Sequence, residues 1–152
     1  MAELCALLSA IGELPLDQRF AMTGSVNQHG VSRPIGAVNE KIEGFFDVCT
    51  DAGLDGSHGV IIPRANLANL MLRDDVVAAV AAGQFQIHAI THADEALALL
   101  TGKPAGDRQP DGRYPPGTAN AAILAGLDTL AAAVERYAMR SERRGAEGTA
   151  AR

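Results

Sequence analysis

The chain has 152 residues, 47% of them hydrophobic and 20% charged, with a formal net charge of -5 at pH 7; this is the composition of one soluble domain with a real core, followed by a tail. An acidic balance with only four Phe and two Tyr gives neither a basic field nor stacking platforms, so nucleic acid is excluded as the expected partner. No apolar stretch approaches the roughly 20 residues that cross a bilayer, and the opening MAELCALLSAIGELP lacks a basic region and a small-residue cleavage site, so membrane insertion and secretion are not expected.

In chain order, Leu4, Leu7, Leu8 and Ile11 recur at helical spacing and predict an amphipathic helix ended by Gly12 and Pro15. That helix begins almost at residue 1, with Met1 and Ala2 where a capping residue and lead-in are usual, so the chain reads as trimmed at its front. Residues 19–26, RFAMTGSV, alternate as a strand, with Thr23 and Ser25 on one face. A turn at Asn27–Gly30 leads to a short return strand at Val31–Arg33, then Pro34 and the loop Ile35–Gly36–Ala37. Val38, Ile42, Phe45, Phe46 and Cys49 make a clear helical stripe, closed at Gly53.

Gly59–Ile62 reads as a buried strand, so residues 19–62 form a strand, excursion, helix, strand unit with a crossover connection. Residues 64–82 carry one or two short helices, Phe85–Ile90 is a further strand, and Ala93–Leu100 is a short helix started by Thr91 or Asp94. Fold class is therefore mixed α/β. The organisation expected is a domain over residues 1–101, a Gly/Pro-rich linker over 102–117, a helical extension over 118–140 and a disordered tail over 141–152. Cys5 and Cys49 stand in apolar surroundings, as buried reduced thiols of a cytoplasmic protein do.

Lys41 falls on the flank of the stripe made by Val38, Ile42, Phe45 and Cys49. A half-shielded amine there can lose solvation and serve as a general base, but the same position suits a lysine whose stem covers apolar surface; spacing alone favours the second reading. Ser25 could pair with Lys41, or simply bond to backbone at the turn. His88 and His92 are spaced like helical ligands, but the first lies in a predicted strand and the second beyond its end. His29 and His58 occupy polar turn and pre-strand positions. No Cys/His cluster, Walker loop or dinucleotide fingerprint occurs, so no metal or cofactor is expected on this chain.

The run from Ala21 to Val76, with Met22–Thr23–Gly24, Pro34–Ile35–Gly36, Glu40–Lys41 and Val60–Ile61–Ile62–Pro63 followed by Asn66, resembles the carboxy-terminal proteolytic domain of Lon proteases, most closely the LonB-like branch. The resemblance covers Leu4 through Leu100, and Thr118–Asn120 is similar to the extension that follows this domain in that branch. It implies an ATP-dependent serine endopeptidase with a Ser–Lys dyad. Lys41 matches the catalytic lysine and Thr23 the threonine that orients it, while Ser25 does not match the nucleophile. The resemblance implies that the serine stands directly before the helix that opens at Glu3, so this chain is expected to carry the lysine without the serine and to be inactive alone. It further implies a homo-oligomeric ring, a hexamer in the family, acting on protein substrates, with ATP and Mg held only by a separate ATPase module. The alternative is a non-catalytic ring-forming module or degenerate paralogue. A second departure is Ala37, where the family has a glycine.

Overall fold

The computed structural model describes residues 1–150, with side chains described as far as Arg140. Helix α1 (Ala2–Gly12) opens the chain, strand β1 (Phe20–Met22) follows, and β2 (Ser25–Val26) pairs antiparallel with β3 (Ser32–Arg33) as a small hairpin. Helix α2 (Val38–Ala52) then leads to β4 (Gly59–Pro63), a 3-10 turn over Arg64–Asn69, helix α3 (Asp74–Ala81), strand β5 (Gln86–Ile90) and helix α4 (Ala93–Thr101). Helix α5 (Ala119–Ala150) closes the order. The sheet is parallel, in the order β1-β4-β5, with Ala21 opposite Val60 and Val60 opposite Ile87.

Because β4 is the central strand and both its faces are covered, all five of its residues are buried, which is why the segment reads as an unbroken apolar run. Alternation sends Val60 and Ile62 toward α2 and Ile61 toward α1. The α2 face joins Ile42, Phe46 and Cys49 to Val60, Ile62, Val76 and Phe85, with Phe46 and Phe85 edge to face at 5.3 Å between ring centres. The opposite face joins Cys5 of α1, Ile61, Ile90, Leu97 of α4, and Ala119 and Ile123 of α5.

The eight-residue strand expected over 19–26 is instead two strands in two sheets. Thr23 still donates its N–H to Ile61 O at 3.0 Å, but Gly24 takes φ 154°, a conformation open essentially to glycine alone, and the chain turns out of the sheet. The first helix is capped by Glu13 at φ 50°, not Gly12; Gly12 stays helical and lets α5 come close, since a Cβ there would lie 3.1 Å from Ile123 Cγ1. His92 is the N-cap of α4, in place of Thr91 or Asp94: its ring accepts from Asp94 N–H while Glu95 reaches back to the backbone of His92.

Residues 102–117 hold no regular element except turns, yet they are strapped to the start of α5: Ala119 and Asn120 donate their N–H groups to Pro104 O and Ala105 O. Thr118 caps the helix, its hydroxyl accepting from Ala121 N–H at 3.3 Å. Helix α5 runs past the end at residue 140 expected from the Ala/Leu-rich run. The tail expected over 141–152 falls on side chains outside the described residues. Among the described residues no helix is long and apolar enough to cross a membrane.

Candidate active site

The loop before α2 is where the chemistry-bearing residues converge. Its backbone is pinned by Asn66, which is 2% exposed and grips Ile35 with both ends of its amide: the oxygen accepts from Ile35 N–H at 3.1 Å and the NH2 donates to Ile35 O at 2.9 Å. A loop held this way delivers Ala37 to the start of α2 in the left-handed region, φ 56° and ψ 38°, where a Cβ costs on the order of 1 kcal/mol. No side chain caps this helix. Lys41 follows one turn later, and its amine donates to Gly36 O at 3.4 Å, so the loop carbonyl and the lysine head sit together above the first turn.

Opposite this turn lies the end of β1. Ala21, Met22 and Thr23 line, with Lys41, Ile42 and Val60, a pocket of about 230 Å³. One wall is thus a sheet edge and the other a helix, with a threonine and a lysine as its polar members. The half-shielded position expected for Lys41 is not met. The residue is exposed, because it stands on the first turn of α2 beyond the edge strand β1, and no element among the described residues covers it.

The start of α1 reaches Gly24, the residue after Thr23. The Met1 nitrogen donates to Gly24 O at 3.1 Å, and a Cβ on Gly24 would lie 3.7 Å from Met1 Cβ and 3.2 Å from Pro63 Cγ. Gly24 therefore fits between the head of α1 and the end of β4, immediately after Thr23. Ser25 is exposed on the hairpin, paired with Arg33, and does not line the pocket.

The outer side of α2 is tied down by charge. Arg73 donates its guanidinium to Asp47 and Asp75, at 2.6 and 2.8 Å, and its N–H to Glu43 at 2.9 Å. These hydrogen bonds hold Asp47 and Asp75 below the usual carboxylate range. His88 and His92 lie elsewhere and serve structure. His88 meets Gln86 Oε1 at 3.0 Å and the edge of Phe20, and burial pushes its pKa down. His92 donates from Nε2 to His29 O at 2.9 Å, joining the hairpin turn to α4. Among the described residues no group of three His, Cys, Asp or Glu is placed to hold a metal ion.

Two residues of this site escape sequence reading. Asn66 appears there only as part of a matched block, because nothing in a sequence says that a buried amide faces a loop 31 positions away. Ala37 is visible as a departure, but its left-handed conformation is not.

The family model of the Lon protease (S16) C-terminal proteolytic domain matches residues 1–102. A putative Lon protease homolog of Escherichia coli (strain K12) is 51% identical over 100 residues, covering 66% of this chain and 17% of that protein. A putative Lon protease homolog of Haemophilus influenzae is 44% identical over 111 residues, 73% of this chain and 18% of the relative. An archaeal Lon protease of Halobacterium salinarum is 36% identical over 103 residues, 67% and 13% respectively. The chain thus spans less than a fifth of the length of these curated relatives.

Proposed function

This chain belongs to the family of Lon protease C-terminal proteolytic domains, and on that premise we propose that it supplies the base half of a serine endopeptidase site, with Lys41 as general base and Thr23 orienting it. The serine hydroxyl comes from a segment joined ahead of α1 in a longer protein. Lys41 takes the proton from that hydroxyl as the oxygen attacks the scissile carbonyl, and returns it to the leaving amine. A separate ATPase module consumes ATP and feeds unfolded or regulatory protein substrates to a homo-oligomeric ring in the cytoplasm. No residue of this chain is asked to bind nucleotide, since no phosphate-binding loop occurs in the sequence.

The observation that carries the reading is a convergence. Thr23 and Lys41 line one pocket, and the head of α1 is hydrogen-bonded to Gly24 beside it. A residue joined ahead of Met1 would enter beside Gly24, the residue that follows Thr23. Exposure of Lys41 fits the same reading, because desolvation of the amine falls to groups contributed from outside this chain.

The isolated chain is expected to leave unfolded casein and a fluorogenic peptide intact, with or without ATP, because a base without a nucleophile gives no acyl transfer. Turnover above background that disappears in Lys41→Ala would contradict the division of the dyad between this chain and a preceding segment.

A further inference from the structure

In the 3-10 turn Arg64–Asn69 that follows β4, burial runs against polarity: Asn66 is 2% exposed while its neighbour Leu67 is 42% exposed. On hydrophobic terms alone the leucine belongs inside, and a carboxamide taken out of water is tolerated only when its groups are paired. Packing therefore does not explain Asn66; its partner does. Both ends of the amide go to one residue, Ile35, 31 positions back, in the manner of a hydrogen-bonded pair between antiparallel strands.

What this grip holds is the stretch that aims Lys41. Pro34, Gly36 and Ala37 are exposed, and a Cβ on Gly36 would meet nothing within 4 Å, so contacts around the loop do not fix it. Among the described residues, the only hydrogen bonds from residues 34–37 to any part of the chain outside α2 run to Asn66. The Lys41 amine in turn has a single hydrogen-bond partner among them, Gly36 O. A lysine head on a flexible four-carbon stem goes where its partner stands.

We propose that Asn66 is a positioning residue for the general base: by fixing Ile35 it fixes the Gly36 carbonyl, and that carbonyl holds the Lys41 amine at the pocket it shares with Thr23. This role rests on Lys41 being the base. Asn66 touches neither substrate nor the reacting atoms. It acts on the alignment of proton acceptor and nucleophile, where a displacement of about 1 Å can cost on the order of 100-fold in rate, and it leaves the substrate's own contacts alone. Its loss therefore falls on kcat and not on KM.

The test uses two variants that pull stability and positioning apart in the longer protein proposed above. Asn66→Ala removes the amide and leaves a hole, whereas Asn66→Leu removes the amide but fills the buried place with apolar volume, so its thermal midpoint should lie closer to that of the wild type. Both should lower kcat for a fluorogenic peptide by roughly 10- to 100-fold, with KM within about twofold, at a temperature where both are folded. In the 152-residue chain, hydrogen exchange should find the Ile35 amide protected in the wild type and released in both variants, while Ile42 stays protected within α2.

Unchanged kcat in either variant overturns the proposal. So does a kcat that follows the thermal midpoint, falling in Asn66→Ala and recovering in Asn66→Leu, because a merely structural asparagine predicts that order. An Ile35 amide that exchanges freely in the wild type removes the grip itself. A longer protein that cleaves nothing, or cleaves as fast with Lys41→Ala, sinks the reading of Lys41 and takes this role with it. Loss of turnover in Lys41→Ala with full kcat in both Asn66 variants leaves the base standing and overturns Asn66 alone.

Discussion

The two faces of the parallel sheet are covered by different physical means. On the α2 face one amphipathic helix supplies Val38, Ile42, Phe46 and Cys49 to a pocket of branched and aromatic residues; complementarity comes from large side chains. On the α1 face three helices meet, and the contact between α1 and α5 rests on what is missing: a Cβ at Gly126 would overlap the Ile11 carbonyl oxygen, and one at Gly12 would crowd Ile123. The difference teaches that the α2 face, which carries Lys41, stands on side-chain volume, whereas the α1 face, which brings the head of the chain to Gly24, stands on close backbone approach.

The comparison breaks most visibly at Gly126. Gly126→Ala forces α5 off the end of α1 and should cost about 3 kcal/mol, with hydrogen exchange rising in α1 and α5 and staying native-like in α2; uniform protection across both faces would mean that the seam is not held by this contact. Next comes Asn66. Asn66→Ala strands the half-buried Ile35 N–H and C=O and should cost about 1–2 kcal/mol, read as a lower urea midpoint with an unchanged slope. A third substitution sharpens the comparison by moving stability the other way: Ala37→Gly relieves the left-handed Cβ and should gain roughly 0.5–1 kcal/mol, checked by thermal unfolding.

The smallest effect separates the faces by pH. His88 stands opposite Ile61 in the β4–β5 register, against Phe20 on the α1 face, and its folded pKa is depressed by burial. At neutral pH it is mostly uncharged in the unfolded chain and still less protonated in the folded one. As pH falls through about 6.5 the unfolded chain takes the proton first, so stability declines until the folded pKa is passed and then levels off. His88→Gln should flatten the decline of the thermal midpoint between pH 7 and 5.5. An unchanged slope would assign it to other groups.

Much of the α2 face was legible in the sequence, because its signals are apolar side chains at regular spacing: the stripe from Val38 to Cys49 and the run Gly59–Ile62 predict α2 and β4 almost to their ends. What failed has a common cause. Gly24 turns the expected strand out of the sheet, Glu13 displaces Gly12 as the cap, and His92 takes a capping role that Thr91 or Asp94 would ordinarily hold. Each depends on which backbone comes close to which, and spacing carries no record of that. The candidate site divides in the same way. Lys41 and Thr23 are legible through resemblance, whereas the exposure of the lysine and the grip of Asn66 on Ile35 emerge only once the chain is folded.

The most direct test of the account is turnover of a fluorogenic peptide by a longer protein that joins this chain to the serine-bearing segment proposed to precede it, compared with Lys41→Arg in the same protein. Guanidinium stays protonated and cannot accept the serine proton, and an exposed substitution of this kind should leave stability within about 0.5 kcal/mol. The account predicts restored cleavage in the wild type and a loss of roughly 100-fold or more in kcat for Lys41→Arg at unchanged thermal midpoint. A folded Lys41→Arg protein that cleaves at the wild-type rate would contradict the assignment of Lys41 as the base.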